Sequence, residues 1–485
     1  MSYKKFTKNI GLLGLTQVIV AVSGIALLPV ITKSLGAENY GVWTQIIVTL
    51  SLLTPFMLLG LPYTLVRFLA GQKDQHEIKD GIWSTITIVF GVSMMCFFLL
   101  ILFTNPISRF LGCDKIFINI LAITLVLECL DLVFLNVFRA FQQINEYCLF
   151  GITQNVGETG LVILAIWLGY GLFGAVMSLL LIRLINFVIM GAIILRRVGF
   201  TTPRFLRIKK YLSFGIPTIL GDVSFWITQS SDKYLIGFFL GTIYVGYYAP
   251  AYTLGGVIAF FIAPLSLALP ATLSKHYDEN NIEGVKNYLK YSLKYFLALA
   301  IPSVFGISIL SYQLLTIFST TEIAQHSYYV VPFIALCMLF SGTNTIIEQI
   351  IGLKKKTHVS GAIWMIAAFS NLGLNFIFIP RFGILGAAIT TLVAYIIAST
   401  LTWHYSFKRL SFEIDGKFIL KSITASVIMS LFVVWLNPLG FYKTMISIAL
   451  GALIYGALVI LFRAFSKKEF EFAKNIFTRE ESTSL

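Results

Sequence analysis

A small set of ionisable residues stands inside long apolar runs. Glu128, Asp131, Glu158, Arg183 and Asp222 lie deep in them, and Asp232 and Lys233 further along. Arg67 and Glu348 sit near the ends of theirs. A charge at mid-bilayer costs at least about 2.5–3.5 kcal/mol on insertion scales, so each needs a partner or a watery cavity. Asp222, Gln229 and Lys233 follow a spacing of seven and four, which sets them along one helical face. If that face borders a cleft, Lys233 offers a cation to an anionic group, with Arg183, Gln229 and Arg67 as further candidates for substrate contact. The competing reading is that Lys233 snorkels outward or pairs with a neighbouring acid. Arg183 and Glu158 fall at similar depth on consecutive runs, so a buried structural ion pair is the simplest account, with substrate contact by Arg183 as its rival. Asp222, Glu128 and Asp131 are candidates for coupling to a proton or sodium ion, or else bond to hydroxyls and amides of adjacent helices. Asn371 and Asn375, four apart, point to interhelical hydrogen bonds.

The elements that position these residues follow from composition. Of 485 residues, 57% are hydrophobic and only 12% charged, with 42 Phe. Soluble domains carry about 25% charged residues, so lipid must solvate much of this surface. The net charge of +14 would suggest nucleic acid in a soluble protein. Here the Lys and Arg sit in short loops between apolar runs, and no nucleic-acid partner is expected. The cysteines, Cys96, Cys113, Cys129, Cys148 and Cys337, show no CxxC spacing. Neither a metal nor a cofactor is expected, and no GxxxxGK[ST] loop supplies an ATPase. The basic start Met1–Asn9 leads into the first apolar run, which reads as a membrane helix, not a cleaved signal.

Runs of about 20 apolar residues predict an all-α membrane protein with about 14 transmembrane helices. They lie near 10–32, 42–68, 82–103, 116–138, 149–168, 172–195, 212–238, 243–270, 291–315, 327–352, 358–379, 384–407, 417–436 and 445–463. Alternate loops on the N-terminal side are basic, among them Arg196, Arg197, Arg204, Arg207, Lys209, Lys210 and Lys354–Lys356. The other side holds only Lys33, Arg109, Lys115, Arg381 and Lys443. The positive-inside rule therefore places both termini in the cytoplasm of a cell-membrane protein. Residues 1–196 form an N-terminal six-helix lobe, 197–211 a basic linker and 212–407 a second six-helix lobe. Residues 408–465 add two helices, and 466–485 form a polar cytoplasmic tail, its Phe-rich start compatible with a short interfacial helix.

The lobes repeat in parallel. Leu35-Gly36-Ala37-Glu38-Asn39-Tyr40-Gly41 matches Leu240-Gly241-Thr242-Ile243-Tyr244-Val245-Gly246. Gly171-Leu172-Phe173-Gly174-Ala175 matches Gly383-Ile384-Leu385-Gly386-Ala387. Pro55 and Pro62 in one lobe answer Pro264 and Pro270 in the other, as kinks or hinges in cleft-lining helices. Two parallel six-helix repeats imply a pseudo-two-fold axis along the membrane normal and a cleft between them.

These residues carry a resemblance. Leu35-Gly36-x-x-x-Tyr40-Gly41, Ser231-Asp232-Lys233-Tyr234-Leu235-Ile236-Gly237 and Asn371-x-x-x-Asn375-x-x-x-x-Pro380-x-x-Gly383-x-x-Gly386-Ala387-Ala388 are similar to the polysaccharide-export (Wzx-type) branch of the MATE-like flippase superfamily. The resemblance implies a flippase without ATPase activity, moving a polyprenyl-(pyro)phosphate-linked oligosaccharide from the cytoplasmic to the outer leaflet for surface glycan synthesis. Its partners would then be that lipid-linked substrate, membrane lipids, a coupling proton or sodium ion, and a glycan polymerase or glycosyltransferases. Two rivals remain: a multidrug cation antiporter of the same superfamily, which acidic cleft walls would favour, and a membrane-embedded glycan polymerase or ligase. The short outer loops argue against the second, and the chain is not expected to be an enzyme.

Overall fold

A computed structural model describes residues 3–69, 72 and 74–465; the expected tail 466–485 and its Phe-rich start lie outside the described residues. The first half comprises α1 (Tyr3–Leu58), α2 (Leu61–Leu69), α3 (Gln75–Leu102), α4 (Thr104–Leu111), α5 (Lys115–Ala140), α6 (Ile144–Trp167) and α7 (Gly171–Val198). The second comprises α8 (Ile208–Leu240), α9 (Thr242–Gly256), α10 (Ala263–Asp278), α11 (Ile282–Ile309), α12 (Ser311–Phe318), α13 (Thr321–Ser327), α14 (Val331–Leu353) and α15 (Thr357–Phe407). The helices α16 (Gly416–Leu436) and α17 (Phe441–Leu461) follow. No strand occurs among the described residues.

Among the described residues, ten helices are long and apolar enough to cross a membrane, or eleven if the bent pair α9–α10 forms one span. Two of the ten contain a residue that is not helical: Gly36 in α1 (φ 74°, ψ 177°) and Gly383 in α15 (φ 61°, ψ −143°). Each glycine lets one apolar run turn into the next without a loop. Helix α8 is not among the ten, because Asp222, Gln229, Asp232 and Lys233 make it the most polar of the long helices. The fourteen apolar runs are largely helical, with 42–68 broken at Leu59 and Gly60, 243–270 at residues 257–262 and 291–315 at Leu310.

The repeat is visible in the backbone. Gly241, between α8 and α9, adopts φ 97°, ψ 166°, close to the conformation of its counterpart Gly36. Gly171 and Gly383 both have positive φ. At these prolines the helices break. Helix α1 ends three residues past Pro55, Leu59 and Gly60 turn left-handed, and α2 begins with Pro62 in its first turn. In the second half α9 gives way to a 3-10 turn, Val257–Phe261, before α10 starts with Pro264 in its first turn.

Buried apolar residues form two large clusters, one drawn from Leu28 to Tyr211 and the other from Ile236 to Ala464. Each borrows a small residue from the other half, Ala249 in the first and Ala37 in the second. Most membrane-depth hydroxyls are satisfied within their own helix, as Thr32, Thr124, Ser178 and Thr228 bond the carbonyl four residues back. The linker between halves is strapped to α3. Asp80 accepts the backbone N–H groups of Arg204 (2.5 Å) and Leu206 (3.1 Å), Trp83 Nε1 donates to Gly199 O (2.9 Å), and Arg207 pairs with Glu77 (2.5 Å). A matching strap holds the segment before α16, where Lys290 pairs with Glu413 (2.5 Å) and Lys294 with Asp415 (3.0 Å).

Candidate functional site

The break at Leu59–Gly60 swings α2 away from the line of α1, and the space this leaves against α8 is a cavity of about 450 Å³. Ligand sites span roughly 300–1,000 Å³, so it is large enough to hold one. Helix α1 contributes Ser51 and Pro55, the α2 end Pro62 and Tyr63, α5 Asn136 and Arg139, and α6 Tyr147. Helix α8 contributes Asp222, Phe225, Trp226, Gln229 and Ser230. The cavity therefore lies between the two halves. Arg139 and Tyr147 flank the α5–α6 turn and place it toward the side of the basic loops.

Polar groups converge on this space. Tyr63 donates its hydroxyl to Asp222 Oδ1 (3.5 Å), and Trp226 Nε1 donates across the cleft to Ser51 Oγ (3.0 Å). Gln229 shows one edge to the cavity while its amide is held from behind. Its Nε2 donates to Tyr395 (2.6 Å) and its Oε1 accepts from Tyr252 (2.5 Å). Among the described residues lining the cavity, Arg139 and Asp222 are the charged ones. Water-poor walls strengthen the pull of either charge on an opposite one.

The expected face of α8 is only half realised. Asp222 and Gln229 reach the cavity; Lys233 does not. Its Nζ donates to Gln229 O (2.9 Å), lies 3.6 Å from Asp232 Oδ1 and sits 3.8 Å over the Tyr252 ring, with the residue 8% exposed. The face is right, but the cleft ends before Lys233. At that level α1 lies against α8, with Gln45 Nε2 bonding Lys233 O (3.0 Å) and Thr49 bonding the Tyr234 hydroxyl (2.5 Å). Of the two readings of Lys233, pairing with a neighbouring acid is the one found.

The remaining candidates lie away from the cavity. Arg183 bonds Glu158 (3.1 Å) and also Glu128, to which Gln154 donates as well (3.3 Å). Asp131, one turn along α5, is fully buried with neither oxygen bonded. Arg67 is exposed and stacks over Phe214 at 4.8 Å. Glu348 accepts from Ser360 and Trp364 in the second half. Asn375 donates to Asn371 Oδ1 (3.0 Å) and Asn371 to Thr391 (3.3 Å), with Ser231 Oγ also on Asn371 (3.3 Å); this ties the two arms of α15 to α8.

Sequence reasoning passed over Arg139, Tyr63 and Trp226. Trp226 follows Asp222 by four residues and precedes Gln229 by three, so the same helical spacing could have found it. Arg139 lies in the last turn of α5, and the packing of α5 against α2 brings it to the cleft.

With this geometry in place, the chain can be set beside known proteins. It is 21% identical over 383 residues to a probable low-salt glycan biosynthesis flippase, Agl15, of Haloferax volcanii, covering 77% of this chain and 79% of that one. It is 22% identical to a putative O-antigen transporter of Shigella flexneri, over 78% of this chain and 92% of the relative. Among solved structures, a lipid II flippase, MurJ, in an inward closed conformation shares the fold with a TM-score of 0.77 at 18% identity, covering 93% and 98% of the two chains. An inward-facing multidrug resistance MATE transporter follows at 0.63 and 15%, covering 82% and 94%. Residues 217–377 match the MatE family, and residues 6–271, more than half of the chain, match the family described as polysaccharide biosynthesis protein. Two helical lobes around a polar cavity, in a chain whose match to that family runs through the first lobe and into the second, make this protein a member of the polysaccharide biosynthesis protein family.

Proposed function

We propose that this protein is a flippase that carries a polyprenyl-(pyro)phosphate-linked oligosaccharide from the cytoplasmic to the outer leaflet by alternating access. The observation that carries the reading is the cavity between the lobes, which combines one cation, Arg139, with the aromatic faces of Tyr63, Tyr147 and Trp226. The cation suits a lipid phosphate, and the rings suit the first sugars attached to it. The names borne by the Haloferax and Shigella relatives point the same way. In this reading the chain crosses the membrane fourteen times, in lobes 1–196 and 212–407 with the pair 408–465 added, and both termini are cytoplasmic. Asp222 is the candidate for a coupling proton or sodium ion, since it alone of the proposed carboxylates faces the cleft. The chemistry is transport, with the glycan made and lengthened by other proteins.

A multidrug antiporter is the second reading, favoured by the MatE match over residues 217–377. Against it, the cleft walls balance Asp222 with Arg139 instead of being predominantly acidic. The deciding experiment measures cytoplasm-facing lipid-linked oligosaccharide in a deletion strain complemented with the wild type or with Arg139→Gln. Accumulation in the deletion, corrected by the wild type but not the variant, supports the flippase. No accumulation in the deletion removes it.

A further inference from the structure

Two close approaches of backbone to backbone join the halves, one at Gly60 on the cavity's inner rim and one at the outer turns beyond the α1–α8 packing at Gln45 and Thr49, and glycine makes each of them. Toward the outer turns, a Cβ on Gly41 of α1 would lie 2.0 Å from the carbonyl oxygen of Thr242, and one on Gly246 of α9 would lie 1.8 Å from that of Ala37. These four residues are two matched pairs of the sequence repeat: Gly41 answers Gly246, and Ala37 answers Thr242. The contact is therefore reciprocal about the pseudo-two-fold axis. Toward the basic side, a Cβ on Gly60 would lie 2.2 Å from Gly215 O, and one on Gly215 would lie 2.5 Å from Leu59 O. There each glycine faces a carbonyl of the other segment, although Gly60 and Gly215 are not counterparts in the repeat.

Local backbone conformation does not explain the glycines. Gly41, Gly246 and Gly215 sit in helix with ordinary helical backbone, where glycine weakens the helix relative to alanine. Only Gly60, at φ 65°, also needs glycine for its turn. What the others permit is approach closer than any side chain allows. The two contacts are well separated: the helix from Gly41 to Leu58 rises about 26 Å, close to the thickness of a hydrocarbon core. Carbonyl-to-glycine contacts are individually weak and bury little side-chain surface, so such a seam closes tightly and still parts readily.

We propose that these two glycine clasps are the gates of the cleft, the Gly41–Gly246 clasp closing its outer end and the Gly60–Gly215 clasp its inner end. Transport parts one while the other holds. This rests on reading the chain as an alternating-access transporter, but not on its cargo. A side chain at an outer glycine holds the outer end open, and one at Gly215 holds the inner end open.

The test uses the full chain in cells, with Ser230→Cys as a reporter on the cavity wall and a membrane-impermeant thiol reagent. Labelling is counted above that of the parent, which carries only its native cysteines. Gly41→Val and Gly246→Val should each raise labelling from outside at least ten-fold. Gly215→Val should raise it only from the cytoplasmic face, in inside-out vesicles. Should a valine variant fail to reach the membrane, the alanine variant is read instead, because one methyl already meets the carbonyl. Wild-type labelling in the outer variants overturns the proposal, as does an equal rise from both sides. Neither readout requires a substrate, so a wrong cargo would leave this test intact.

Discussion

In the first half of the molecule one group of buried charges is held by ion pairing across helices: Arg183 of α7 is shared between Glu128 of α5 and Glu158 of α6. In the second half a buried pair lies side by side on one helix. Asp232 and Lys233 of α8 sit within a web of neutral groups, with Tyr248 on Asp232 (2.6 Å) and Tyr252 and Gln229 around the ammonium. A charge held only by charges fails when one partner goes, whereas a charge held partly by tyrosine hydroxyls and amides has other donors left. Both clusters lie inside their lobes, away from the cavity. Among the described residues lining the cavity, Arg139 and Asp222 are the charged ones.

This contrast can be broken by substitution. Arg183→Ala leaves two carboxylates facing each other in a lobe interior and should cost about 3–5 kcal/mol, read as a fall in thermal unfolding temperature in detergent. A loss below about 1 kcal/mol would mean that the first half does not depend on its ion pairs. Lys233→Met should cost less, about 1–3 kcal/mol, because Tyr248 still satisfies Asp232. Adding Asp232→Asn to it should recover part of that loss, and a double variant worse than the single one would contradict the web. Arg139→Gln touches no such cluster and should change stability by no more than about 0.5 kcal/mol while transport falls at least ten-fold. If unfolding shifts as far as it does for Arg183→Ala, Arg139 is structural and the contrast between lobe and cleft is lost.

The smallest effect concerns the strap before α16. Burial pushes the Asp415 carboxyl up, but the Phe418 N–H and the ammonium groups of Lys294 and Lys290 outweigh it and hold it below the usual carboxylate range. A group whose folded value is depressed stabilises the fold above its unfolded value and loses that contribution as pH falls. The loss should set in as pH falls through the ordinary carboxylate range, at about pH 4, and stay under about 1 kcal/mol, since solvent screens this partly exposed pair. Asp415→Asn should flatten the stability profile over that window, and an unchanged profile would remove the strap from the account.

The sequence by itself determined that the chain lives in a membrane, that it is helical and that its halves repeat. These follow from hydropathy, charge bias and spacing, which are local properties of the chain. The pairing of Arg183 with Glu158 was legible too, because consecutive antiparallel helices bring equal depths together. Only the tertiary structure decided which charges meet the cleft. Helical periodicity gives the face of Lys233 but not the level at which α1 closes over that face, so a residue on the right stripe ends up inside a lobe. Arg139 is the converse case: nothing near it in the sequence separates it from the loop cations, and the packing of α5 beside the break at Gly60 turns it inward. Gly41 and Gly246 stand out in sequence as matched positions of the repeat, but only the fold shows that two distant backbones meet there.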